Sequence, residues 1–211
     1  MASDLGTMVR RIREDVNRGS DFDARIKQAI VDAIYFYRNS RLGFNIKRAR
    51  ALLTSGNEQV SLPLDWIEAD FLRLEEDGMR QTMEEVTYDW IEDRQENDSD
   101  RGKPYRYAIQ HRELRVYPIP DRSYTLVLSF QYELQNVSIN ASDGETNAWL
   151  IEAEQLIRKH AQGDLYVNYI DGPESIAKGQ LLRRECSDEI LPVLEALAGR
   201  QQSSGKFKPW I

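Results

Sequence analysis

The chain has 211 residues, 41% of them apolar and 30% charged, with 28 Lys and Arg against 35 Asp and Glu and a net charge of −7. A globular composition of this length buries most of its unfolded surface without disulfides or metals, and the single cysteine, Cys186, excludes an internal disulfide framework and suits a reducing, intracellular compartment. The first fifteen residues hold no apolar leader core, the uncharged run from Tyr124 to Tyr132 is far short of the ~20 residues a membrane helix needs, and the acidic balance argues against a general nucleic-acid coat.

The ends read as helix and the middle as strand. Leu5, Met8, Val9, Ile12 and Val16 follow helical spacing after a cap at Ser3, and Gly19 is the expected stop. Asp21 is the expected cap of a second helix, whose apolar stripe is Phe22, Ile26, Ala29, Ile30, Ala33, Ile34 and Tyr37. The short loop between them predicts an antiparallel pair.

From about Phe44 the period changes, and Gly, Pro and Asp-Gly punctuate the chain closely. Strands are predicted over 49–54, 59–62, 67–74, 105–109, 114–117 and 124–134. In the last, Tyr124, Leu126, Leu128, Phe130, Tyr132 and Leu134 alternate with Thr125, Val127, Ser129, Gln131 and Glu133, which places one apolar face on a strand. A short helix is predicted over 84–96.

After Asp143-Gly144 the helical period returns. Trp149, Leu150, Ala153, Leu156, Ile157, His160, Ala161 and Leu165 form a stripe, with Thr146 or Asn147 as cap. Past Asp171-Gly172-Pro173 a last helix is predicted, kinked at Pro192 and ended by Gly199. The reading is α+β: a helical bundle built from N- and C-terminal helix pairs (1–43 and 143–199), an inserted antiparallel β-rich lobe (44–142) and an extended C-terminal arm (200–211).

The chemistry-bearing motifs are absent. The twelve glycines are too widely spaced for a G-x-G-x-x-G fingerprint, a Walker loop or a nucleophile elbow. His111 and His160 are the only histidines, and no Cys-x-x-Cys pair exists, so no metal site and no cofactor are expected. His160 falls on an apolar stripe and reads as a packed, hydrogen-bonded imidazole. The acidic run from Glu96 to Asp100 imitates a calcium loop, but neither register supplies its glycine or its bidentate Glu. The paired acids Glu75-Glu76 and Glu84-Glu85 read as solvated surface. A hydrolase using such carboxylates is the least favoured alternative, and no catalytic residue is assigned.

Charge is unevenly placed. From Asp65 to Asp100 there are fourteen acids and three bases. From Ala33 to Asn57 there is no acid, against Arg38, Arg41, Lys47, Arg48 and Arg50. Two solvated faces explain this; so does complementarity between neighbouring copies, with those five bases on one side of the interface. An acidic module that holds a basic partner is a further alternative. The last residues, Lys206, Phe207, Lys208, Pro209, Trp210 and Ile211, follow a Gln-Gln-Ser-Ser-Gly stretch. They read either as an end without a partner or packed back on the chain, or as an anchor whose aromatics fill pockets on another protein.

The order of several motifs resembles the head-to-tail adaptor (connector) proteins of tailed bacteriophages. They are Ala33-Ile34-Tyr35-Phe36-Tyr37; Val60-Ser61-Leu62-Pro63 leading to Asp65-Trp66; Gly102-Lys103-Pro104-Tyr105-Arg106-Tyr107; Leu114-Arg115-Val116-Tyr117-Pro118-Ile119-Pro120-Asp121 with Tyr124-Thr125-Leu126; and Thr146-Asn147-Ala148-Trp149-Leu150. The resemblance spans residues 4–197. It implies a structural virion protein made in the host cytoplasm, without catalysis or membrane. It implies a homo-oligomeric ring, usually a dodecamer, between the portal and the next tail component. It also implies a C-terminal arm to the portal, and genomic DNA passing through the channel without sequence-specific binding. The acidic balance suits such a channel, because a basic lining would grip phosphates.

Overall fold

The computed structural model describes residues 4–97 and 100–203. The chain divides into two compact units, residues 1–44 with 134–211 and residues 45–133.

In the first unit, α1 (Leu5–Asp15) is capped by Asp4, whose carboxylate accepts a hydrogen bond from the Thr7 N–H at 2.6 Å. It ends at Asn17, which takes a left-handed φ of 51°. There the Asn17 N–H bonds the Glu14 carbonyl and the Arg18 N–H that of Arg13, both at 3.1 Å, the paired closure of a Schellman end. The expected cap, Ser3, and stop, Gly19, are therefore each displaced. Asp4 is a stronger acceptor one residue on, and Asn is among the few non-glycine residues that enter the left-handed region.

A 3₁₀ turn (Ser20–Phe22) leads into α2 (Asp23–Tyr37). Asp21 makes no capping bond; the turn is closed by the Phe22 N–H on the Gly19 carbonyl at 3.1 Å. All seven residues of the predicted α2 stripe are buried.

The second half of this unit opens with α4 (Ala148–Glu152), capped by Asn147 through the Leu150 N–H at 3.1 Å. The helix breaks at Ala153 and resumes as α5 (Glu154–Asn168). Gly172, with a φ of +115°, and Pro173 at the first turn start α6 (Pro173–Glu185). Helices α5 and α6 pack so closely that a Cβ on Gly179 would lie 2.7 Å from the Gly163 carbonyl oxygen and from Val167.

Pro192 acts upstream of itself. It offers no N–H to the Asp188 carbonyl and its ring crowds that carbonyl. The chain responds with a π-turn (Cys186–Ile190), in which the Leu191 N–H reaches back five residues to Cys186. The final helix, α7 (Leu191–Ser203), runs through Gly199, so residues 200–203 are helical rather than part of an extended arm.

The first unit closes on one core. Leu5, Met8 and Ile12 of α1, Ile26, Ile30 and Ile34 of α2, and Trp149, Leu156, Ile157 and Leu165 meet in it. Each fully buried aliphatic side chain contributes about 1.5–3 kcal/mol by removal from water. Leu134 and Val137 also belong to this core, which moves the return of the helical unit from the expected 143 to 134.

The second unit holds two four-stranded sheets. One runs β1 (Ile46–Leu53), β10 (Tyr124–Tyr132), β3 (Trp66–Glu76), β4 (Met79–Thr82), antiparallel throughout. The other runs β2 (Gln59–Ser61), β8 (Glu113–Tyr117), β7 (Arg106–Gln110), β5 (Glu84–Glu85). Only β5, on β7, is parallel there; β6 (Arg101–Gly102) and β9 (Ile119–Pro120) form a separate parallel pair. Leu72, Leu74, Leu126, Leu128 and Phe130 from the first sheet pack with Tyr107, Leu114 and Val116 from the second.

β10 is a central strand, and Val127, Ser129 and Gln131 on its expected polar face are buried as well. The helix predicted over 84–96 is α3 (Tyr88–Asn97), because Glu84–Glu85 join a ladder and Thr87 accepts the Trp90 N–H at 3.4 Å. Ile91 of α3 packs on Ala108 and Tyr117.

Candidate interaction surfaces

The residues with acid–base character are tied into the fold. His160 is 8% exposed. Its Nδ1 is hydrogen-bonded to the Tyr37 hydroxyl at 2.8 Å, and Phe36 and Tyr37 pack against the ring. Nε2 stands 3.7 Å from Asp164, too far for a hydrogen bond, and Asp164 is engaged by Arg183. Burial lowers the imidazole pKa; Asp164 works against that shift and Arg183 with it. Burial likewise pushes the Cys186 thiol up to about 11, so it stays protonated and unreactive.

Three of the four paired acids are matched by bases and the fourth by a hydroxyl. Glu75 meets Arg80 at 2.9 Å and Arg50 at 3.4 Å, and Glu84 meets Arg106 at 2.8 Å. Glu85 accepts from the Tyr107 hydroxyl at 3.3 Å. Glu76 meets Lys103 at 2.8 Å and also Arg122. The Lys103 hydrogen bond holds the Glu76 carboxyl below its ordinary range. A general acid needs the opposite shift. Among the described residues no group of three His, Cys, Asp or Glu side chains could hold a metal ion.

The five bases of the acid-free segment do not share one face. Arg38 and Arg41 belong to the helical unit, where Arg38 lies 3.9 Å over the Tyr35 ring. Lys47, Arg48 and Arg50 are on β1, whose alternation separates them. Lys47 shares a face with Ala49 and Ala51, pairs with Asp65 and sits 4.3 Å over Tyr132. Arg48 and Arg50 are exposed on the other face. On α3, Asp89, Glu92, Asp93 and Glu96 are exposed. Lys206, Phe207, Lys208, Pro209, Trp210 and Ile211 lie outside the described residues.

Apolar surface adds what charge counting missed. Tyr35 and Phe36 at the end of α2, Leu64 after β2 and Met79 at the start of β4 are all exposed. Between β1 and β2 opens an apolar slot lined by Ala49, Ala51, Leu72, Leu114, Leu126 and Leu128. Its sequence signal is Ala-x-Ala in a strand whose partners are leucines.

The chain-wide comparison gives the family. Residues 3–181 match the family described as SU10 adaptor protein, of phage head-to-tail adaptors. The chain belongs to that family. The match takes in the N-terminal helices, the whole β unit and α4 to most of α6, and it ends before the π-turn, α7 and the last residues. Among curated proteins none matches the chain. The adaptor family is structural rather than catalytic, and its members are virion components that work between portal and tail proteins. No helix among the described residues is long and apolar enough to cross a membrane.

Proposed function

We propose that this adaptor forms a ring beneath the portal, a dodecamer in the form the resemblance implies. The ring links the capsid vertex to the tail and surrounds part of the path of the genomic DNA, which passes without sequence-specific binding. The observation that carries this reading is the family match across both helical ends and the β unit. The acidic balance, −7 over the chain, favours sliding over gripping of phosphates.

In this reading Lys206–Ile211 are the arm that meets the portal. Phe207 and Trp210 are anchors of the kind that dominate interface energetics, and Lys206 and Lys208 steer the approach. Of the five bases Arg38, Arg41, Lys47, Arg48 and Arg50, the exposed pair on one face of β1, Arg48 and Arg50, supplies the basic side of contacts between copies in this reading.

Native mass spectrometry of the full chain and of a chain ending at Ser203, each with and without purified portal, tests the reading. That truncation keeps α7 whole. The expected result is a ring on the portal with the full chain, and a folded protein that does not dock with the truncated one. A full chain that stays monomeric beside the portal would overturn the ring; docking by the truncated chain would overturn the arm. Salt-sensitive binding of a basic protein through residues 65–100, with the portal ignored, would favour the acidic-module reading.

A further inference from the structure

The first sheet of the β unit has two open edges, β1 on one side and β4 on the other. An open edge offers unpaired backbone groups and is a template for another chain unless it is guarded. The two edges differ in a complementary way.

Beside β1 lies the apolar slot, about 180 Å³, open between the edge strands of the two sheets. It exists because β1 places Ala51 opposite Leu126 and Ala49 opposite Leu128, leaving short side chains where the neighbouring strand has long ones. Arg50 borders its mouth from the opposite face of β1 to Ala49 and Ala51, where it also meets Glu75 of its own chain at 3.4 Å, and Arg48 is exposed two residues away on that opposite face.

At the other edge, Asp77-Gly78 makes a tight two-residue turn with φ of 50° and 79°. All four residues of β4 are exposed, and Met79 is 75% exposed. Met79 pairs with Glu76, which puts it on the face of the sheet that carries Leu74, Leu126 and Ala51. Glu75 and Glu76 of this turn are engaged by bases of their own chain, whereas Asp77 has no partner among the described residues.

We propose that the slot beside β1 of one copy receives Met79 from a second copy, with Asp77 of the incoming turn against Arg48 and Arg50. The inference rests on the ring reading and names the contact that builds it. A cavity of roughly 150 Å³ admits benzene, so the slot has room for one methionine side chain, whose unbranched thioether adapts to irregular gaps. Slot and side chain lie on opposite edges of one sheet. The contact is therefore heterologous, repeats from copy to copy, and closes a ring when the rotation per copy allows.

The test pairs two variants of the full chain, Ala51→Cys and Met79→Cys, each adding one cysteine to the buried Cys186, with purified portal under mild oxidation. The expected result is a disulfide-linked dimer from the mixture and none from either variant alone. The double variant should give a ladder of multimers up to ring size. In parallel, Met79→Asp, a change at an exposed position, should weaken ring assembly about tenfold or more, as loss of a buried apolar contact would. Ala51→Trp, which fills the slot, should do the same.

If the wild-type chain rings the portal while the mixture gives no more dimer than its components, the contact is refuted and the adaptor reading stands. If Ala51→Trp blocks assembly and Met79→Asp does not, the slot holds another segment and the proposal is wrong. If the wild-type chain never assembles, the ring reading fails and takes this contact with it.

Discussion

His160 shows how one buried side chain links packing to pH. Its ring is held by the Tyr37 hydroxyl, and burial depresses its pKa. A group whose pKa is lower in the folded than in the unfolded chain contributes stability above its unfolded value, about 6.5 for histidine, and loses it as pH falls through the folded value. The facing groups are Asp32 and Tyr37 from α2, Asp164 from α5, and Arg183 and Arg184 from α6. Thermal unfolding between about pH 7 and pH 5 should show a falling Tm that flattens in His160→Gln. An unchanged slope would mean the imidazole is not the group that titrates.

Capping gives a second check at this scale. Asn147→Ala should destabilise the chain by about 1 kcal/mol in urea unfolding, the ordinary value of a lost N-cap. The packed character of His160 could be read in advance from its place on an apolar stripe. Its partner Tyr37, 123 residues away, could not, because nothing local records which helices meet.

At the level of elements, the glycines separate into packing and propensity. Gly179 sits where α5 and α6 touch, and its missing Cβ is what permits the contact. Gly179→Ala should cost about 1–3 kcal/mol by overpacking, although alanine is the better helix former. Gly199 lies within α7 with nothing close to where a Cβ would stand. Gly199→Ala should therefore gain up to about 1 kcal/mol. Opposite signs in chemical denaturation of the two variants confirm the distinction; the same sign refutes it. Gly199 reads as a stop in the sequence because glycine closes many helices. Here no left-handed residue is needed, and the helix continues.

For the molecule as a whole, two separately closed cores matter most. The chain crosses between its two units at Phe44–Asn45 and at Glu133–Leu134. Ile30 is fully buried in one core and Phe130 in the other. Amide exchange in rising denaturant should resolve two unfolding free energies, one for each core. A single value shared by the amides of Ile30 and Phe130 would show that the units unfold together.

Local pattern determined much of this protein. The helical stripes of α1 and α2, the six strands β1, β2, β3, β7, β8 and β10, and the helix at Trp149 were legible, because each buries a face whose period is written in a few consecutive residues; β4, β5, β6 and β9 were not. The order of those pieces sufficed to place the chain among phage adaptors. Tertiary structure decided the rest. Only pairing on both sides made β10 a strand buried on both faces. Only the ladder with β7 drew Glu84–Glu85 out of a helix. The alternation of β1 put Lys47 on one face and Arg48 and Arg50 on the other. The slot beside Ala49 and Ala51 depends on leucines from three other strands. Features of that kind depend on which segments meet across long stretches of chain, and a linear pattern does not encode those distances.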